Sequence, residues 1–183
     1  MKKIKKIIIS LLVVLCIPLF LAGCGSKESF AASAQNKNGE IWLSLSDSNK
    51  IHGVYYVKGN NFTYYYLHNV PLSDFAGKSN SQVLSLAKQK ASDSCNESLN
   101  AKIVTDDNKK VLKEKICSSD SPDDVFVELT SANVKIKSNG KTYYGYETKD
   151  GDLKGKLISN SGKQVTFDND KTNNVEQVNQ END

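Results

Sequence analysis

Short aromatic and β-branched runs, each closed by a Gly- or Asn-bearing turn, fill most of the middle and end of this 183-residue chain. Val134-Lys135-Ile136-Lys137 alternates apolar and polar residues, and Asn139-Gly140 separates it from Thr142-Tyr143-Tyr144. Both turn positions tolerate positive φ, so this is the strongest hairpin signal in the chain. Val54–Val57 and Phe62–Leu67 flank a second such cluster, Lys58-Gly59-Asn60-Asn61. Ile41–Leu45 and Val125–Leu129 read as further strands. Leu153–Ser159 and Gln164–Phe167 do so around the turns Asp150-Gly151 and Asn160-Ser161-Gly162. Ala101–Thr105 and Lys110–Ile116 can pair across Asp107-Asn108, and the C-terminal third reads as a β-meander.

One segment has a different period. Val83, Leu86, Ala87 and Ala91 share one helical face, and Ser79 with Gln82 fits a capping box. The expected class is therefore α+β: a mainly antiparallel sheet or meander with one packed helix near residues 80–93. The folded domain is expected over residues 39–168. Residues 169–183 carry two valines among polar and charged residues, too little apolar surface to offset ordering entropy, and read as a disordered tail.

The N-terminus is organised differently. Lys2, Lys3, Lys5 and Lys6 precede an apolar run from Ile7 to Leu21 of 15 residues. A membrane-spanning helix needs about 20, so this run fits the core of a secretory signal better than a plain membrane anchor. It ends in Leu21-Ala22-Gly23-Cys24. That tetrapeptide resembles the lipobox of bacterial lipoproteins. The resemblance implies that residues 1–23 are a signal peptide and that the Cys24 thiol carries a diacylglyceryl group. Two acyl chains suffice for stable anchoring. The implied location is the extracytoplasmic face of the cell membrane, with Cys24 holding membrane lipid and residues 24–38 serving as a flexible spacer. Beyond the lipobox, the chain is similar in general style to small lipoproteins of low-GC Gram-positive bacteria, which implies no activity.

Removing the four lysines of the signal from 24 basic residues leaves 20 against 21 acidic, so the mature chain is close to neutral. The chain contains no arginine. Neither property suits a nucleic-acid partner or capture of an anionic ligand. His52 and His68 are the sole histidines, and no nucleophile elbow or His-Glu-x-x-His motif occurs. Asp150-x-Asp152 and Asp168-x-Asp170 start like calcium loops but lack the following Gly and Glu, so they read as turn and tail acids. No catalytic residue, metal ligand or cofactor is assigned.

Cys95 and Cys117 remain in the mature domain. The inferred hairpin puts Cys117 opposite about Ser98, and the compartment permits a disulfide between the two. The alternative is two thiols. Tyr64, Tyr65 and Tyr66 form the most concentrated aromatic run, and alternation puts Tyr65 on the face opposite the other two. One set is expected in the core; the other could offer a patch to a glycan or an envelope protein. The functional expectation is a non-enzymatic binding module of the envelope, with an envelope-associated hydrolase as the alternative.

Overall fold

The structure, a computed structural model, describes residues 27–118, 125–168 and 175–179. Cys24, the signal segment and the turn at residues 121–124 lie outside the described residues. Eight strands run in sequence as β1 (Glu40–Ser46), β2 (Lys50–Lys58), β3 (Asn61–Pro71), β4 (Asp93–Thr105), β5 (Val111–Ser118), β6 (Val125–Ser138), β7 (Lys141–Asp150) and β8 (Leu153–Ser159). Each pairs antiparallel with the next, and β8 returns to pair with β1. The sheet therefore closes into an up-and-down barrel.

This overturns the expected α+β class: the fold is mainly β, a closed barrel rather than a sheet with a helical layer. The helix that the sequence signals, α2 (Asn80–Lys90), belongs to the connection from β3 to β4. Its capping box is formed by Ser79 and Gln82. It buries only Val83 and Ala87, on the outside of the barrel. Local pairing was readable where the turns are short; closure was not, since the β1–β8 pairs join residues more than a hundred positions apart.

The hairpin signals correspond to tight turns. Gly59 and Asn60 have φ of 57° and 63°, and Asn139 and Gly140 of 46° and 78°, as a two-residue hairpin requires. The β4–β5 connection differs from expectation. Its loop runs from Asp106 to Lys110 with Lys109 at positive φ, and the register shifts between Val104 and Thr105. Cys117 consequently lies opposite Asn100, while Cys95 lies opposite Tyr64 of β3. Five strand residues separate Cys95 from Asn100, about 16 Å at the strand rise, far beyond disulfide reach. The bridge expected between Cys95 and Cys117 is absent.

Two further segments depart from the sequence reading. Within the expected spacer, Glu28 bridges to Val165, and α1 (Phe30–Ala34) buries Phe30, Ala31, Ser33 and Ala34. Within the expected tail, β9 (Val175–Asn179) pairs parallel with Ala101–Thr105 of β4. The β3–β4 pairing ends at Asn61 and Ser98, so the next stretch of β4 presents an open backbone edge there. Backbone pairing fills such an edge whatever the side chains. Gln164–Phe167 forms no strand, only the Val165 bridge.

The interior is filled by aromatic side chains, as the narrow bore of an eight-stranded barrel allows. Trp42 lies edge-on to Phe30 at 5.3 Å and stacks on Tyr146 at 5.8 Å. Phe30 also meets Tyr55 at 5.6 Å, and Tyr55 meets Tyr64 at 4.5 Å. The Trp42 indole N–H donates to Ser33 Oγ at 2.8 Å, which in turn donates to the Phe30 carbonyl at 2.7 Å. Helix α1 is thus a plug, and its run of small residues lets it sit close against the strands. A second apolar cluster, with Ile41, Leu43 and Leu45 of β1 and Phe75, lies on the outer face beneath α2. This explains why β1 is buried on both faces.

If α1 is part of the core, Phe30→Ala should cost about 3–5 kcal/mol, the usual loss for a large aromatic truncated in a core. Chemical denaturation of the purified protein measures this; a true spacer residue would change stability by less than about 0.5 kcal/mol.

Candidate functional site

The two ends of the barrel are built differently. Helix α1, the Gly59-Asn60 turn and residues 160–168 close one end. The other, the open end, carries the β1–β2 and β7–β8 turns and the end of β3, and no helix lies across it among the described residues. The sequence-predicted tyrosines point to this open end.

Tyr64 and Tyr66 share the interior face, with ring centroids 4.6 Å apart. Tyr64 is buried, but Tyr66 is 42% exposed, because β3 passes the rim between them. Tyr65 is half-buried on the outer face, packed against the α2 cluster. The division between core and surface therefore falls along the strand as well as between its faces. Close packing fixes the column: a Cβ at Gly53 would collide with the Tyr64 ring, so glycine is required where that ring crosses β2.

Two side chains join the tyrosines that sequence reasoning did not connect. The β1–β2 register shifts between Ser44 and Leu45, opposite Gly53 and Ile51, leaving His52 as the extra residue of a bulge. The bulge brings His52 Nε2 to 2.9 Å from Ser44 Oγ, and the same serine meets the Tyr64 hydroxyl. Simple alternation would have put His52 on the outer face. Ser44 had a visible signal, as the one polar residue inside Ile41–Leu45. Cys95 lies across the rim, with its Sγ 3.7 Å from the Tyr66 hydroxyl. His68 is exposed and joins none of these groups.

The electrostatics of this rim favour neutral groups. Partial burial lowers the His52 pKa. Burial pushes the Tyr64 phenol up to about 12. The hydrogen bond with Cys95, together with partial burial, raises that of Tyr66. The phenols are therefore protonated at neutral pH and the imidazole is uncharged. Such a set can stack and exchange hydrogen bonds with a neutral polar ligand at little desolvation cost.

The closed end holds a different chemistry. Ser29 Oγ donates to Asp168 Oδ2 at 3.0 Å, and Asp168 N–H donates to Glu114 Oε2 at 3.3 Å. Asp168 is thus a buried structural acid rather than the tail acid that its sequence context suggested. Glu114 is fully buried, and its Oε1 has no hydrogen-bond partner. A cleft of about 350 Å³ lies beside this end, lined by Glu28, Ser29, Ser33, Glu40, Lys163 and Asp168. Another, of about 430 Å³, lies on the flank of β7 and β8 among Glu147, Thr148, Lys154 and Lys156. Among the described residues, no group of three or more His, Cys, Asp or Glu side chains is arranged to hold a metal ion. Nothing in Lys113-Glu114-Lys115 announces burial; α1 and residues 165–168 impose it from distant sequence.

With this geometry in hand, comparison with protein-family models, with curated proteins and with solved structures finds no match to the chain.

Burial pushes the Glu114 carboxyl from its ordinary 4.5 up to about 7, and the nearby Asp168 charge adds to this. Backbone donors from Asp168 and Ala31 pull the other way. The folded state therefore holds this proton more tightly than the unfolded chain does. Its contribution to stability is full below about pH 4.5 and is lost as pH rises through about 7. The loss amounts to roughly 3 kcal/mol. Glu114→Gln should remove this slope and raise the denaturation midpoint above wild type at pH 8. Denaturant titrations across this range provide the check; identical slopes in the two proteins would contradict the assignment.

Proposed function

We propose that this protein is a membrane-anchored extracytoplasmic lipoprotein, a non-enzymatic binding module whose recognition surface is the open end of its barrel. The observation that carries the reading is the rim itself. A rigid aromatic column, Tyr55–Tyr64–Tyr66, rises from a packed interior to an exposed ring, with His52, Ser44 and Cys95 beside it. An aromatic face flanked by neutral hydrogen-bonding groups suits a sugar ring or a polar protein segment. The lipobox at Leu21–Cys24 supports the location. The closed barrel supports the role, because a site on strand ends is held more firmly than one on loops.

One observation favours an envelope-associated hydrolase instead: the Ser44–His52 contact is a nucleophile–base pair in form. Against it, Ser44 is only 9% exposed and its hydroxyl also engages Tyr64. A nucleophile must reach its substrate, and this one is spent on the column.

Two measurements test the proposal. Cys24→Ala should move the protein from the membrane to the soluble fraction of fractionated cells. Titration of the wild-type protein with a soluble N-acetylglucosamine oligomer should show binding by calorimetry. Tyr66→Ala should weaken that binding about ten-fold or more, the loss expected of an exposed aromatic anchor, with its unfolding midpoint unchanged. Binding unaffected by Tyr66→Ala removes the rim from the reading. Hydrolysis of an envelope substrate that disappears in Ser44→Ala and in His52→Ala would establish the hydrolase instead.

A further inference from the structure

We infer that the plugged end of the barrel rests on the membrane and that its lysines meet the headgroups of anionic phospholipid. The inference relies on the lipid anchor proposed above and deepens it, because that anchor alone leaves the orientation of the barrel open.

The first observation is the length of the tether. Cys24 precedes Lys27 by three residues, and the fold begins at once: Glu28 bridges to Val165 and Phe30 is fully buried. A fully extended chain advances at most about 3.6 Å per residue, so Cys24 lies within roughly 11 Å of Lys27. That is close to the Debye length at physiological salt, about 8 Å. The spacer expected from the sequence, residues 24–38, would have allowed several times that distance. Since α1 consumes most of it, the plugged end is held where charges on the barrel and on the lipid interact.

The second observation is how charge is divided between the ends. Around α1, Lys27, Lys37, Lys58 and Lys163 are exposed. The acids beside them are turned inward and occupied. Glu28 receives Ser159 and Ser161 and lies 3.9 Å from Lys163. Glu40 receives Asn36 and Asn80. Asp168 and Glu114 are buried. The β4–β5 loop adds Asp106 and Asp107 against Lys109 and Lys110, which cancel. The open end shows no such excess of either sign: Asp47, Asp93, Glu147, Asp150 and Asp152 are exposed there, against Lys50, Lys149 and Lys154, with Lys156 on the Asp47 carbonyl and Lys88 and Lys90 exposed in the last turn of α2, just before β4. An anionic bilayer therefore draws in the lysines of the tethered end most strongly, because the tether holds them nearest to it. That contact turns Tyr66 and His52 outward, away from the lipid.

The native lysines report on this directly. The full-length lipidated protein is reconstituted into phosphatidylglycerol vesicles, phosphatidylcholine vesicles or detergent micelles. It is then acylated with a water-soluble amine reagent, and labelling rates are read by mass spectrometry. On phosphatidylglycerol, Lys27, Lys37, Lys58 and Lys163 should label about five-fold more slowly than in micelles, as expected for lysines drawn to an anionic surface. Lys50, Lys149 and Lys154 should label at unchanged rates. The protection should weaken on phosphatidylcholine and in high salt. Equal labelling at the two ends on phosphatidylglycerol, with the protein still bound to the vesicles, overturns the orientation and leaves the anchor intact. Protection that is indifferent to lipid charge overturns the headgroup contact. Retention of the Cys24→Ala protein in cell membranes overturns the anchor, and the orientation falls with it. Protection seen only with cell-wall polyanion present, and absent on vesicles, identifies a different partner and also overturns the proposal.

Discussion

The hydrogen bond from the Trp42 indole to Ser33 Oγ ties the two parts of this molecule together. Trp42 is fully buried at the centre of the barrel, and an indole N–H left without an acceptor there would cost about 1–3 kcal/mol. No neighbouring strand supplies that acceptor; a helix from the N-terminal segment does. The same helix sends Phe30 between Trp42 and Tyr55 and takes the Tyr146 hydroxyl as acceptor for its first N–H. Tyr146 then donates to the carbonyl of Thr166. One satisfied indole therefore organises α1, β1, β7 and the segment after β8. The burial of Glu114 follows from the same assembly.

Much of the barrel wall was legible in the sequence, because up-and-down topology is written in local signals. Asn139-Gly140 and Gly59-Asn60 set hairpins by backbone conformation alone, and Ser79 with Gln82 set the start of a helix. What could not be read depends on contacts between distant residues or on irregular register. Closure of β8 onto β1 is one such contact. The spacer reading failed because Phe30-Ala31-Ala32-Ser33-Ala34 looks featureless; small residues are what a plug needs, and sequence alone cannot distinguish that from a linker. The disulfide reading failed because Cys117 lies opposite Asn100 rather than Ser98, a displacement to which the Asp106–Lys110 loop and the shift between Val104 and Thr105 contribute one residue each. Part of the tail reading failed because backbone groups, rather than side chains, recruit β9.

The candidate site shows the same division. Its tyrosines were visible as a run, and their alternation was right as far as faces are concerned. Alternation says nothing of where a strand crosses the rim, which separates Tyr64 from Tyr66. His52 was invisible as a partner of Ser44 because a bulge interrupts the period of two on which such reasoning rests. Irregularities of this kind re-aim single side chains, and here one does so beside the exposed aromatic.

Strand β9 has a consequence for the solubility of the protein. Barrels are protected from sheet-to-sheet aggregation because closure leaves no unpaired strand. Here closure is incomplete along Ala101–Thr105, an apolar stretch whose outer hydrogen-bonding groups are occupied only by Val175–Asn179. A protease that trimmed the chain after Asp168 would leave the barrel and its site intact while baring a short apolar edge. Such an edge is a template for a strand from another molecule. The residues of β9 thus act as a built-in guard against strand-to-strand association, and the guard lasts only as long as they remain on the chain.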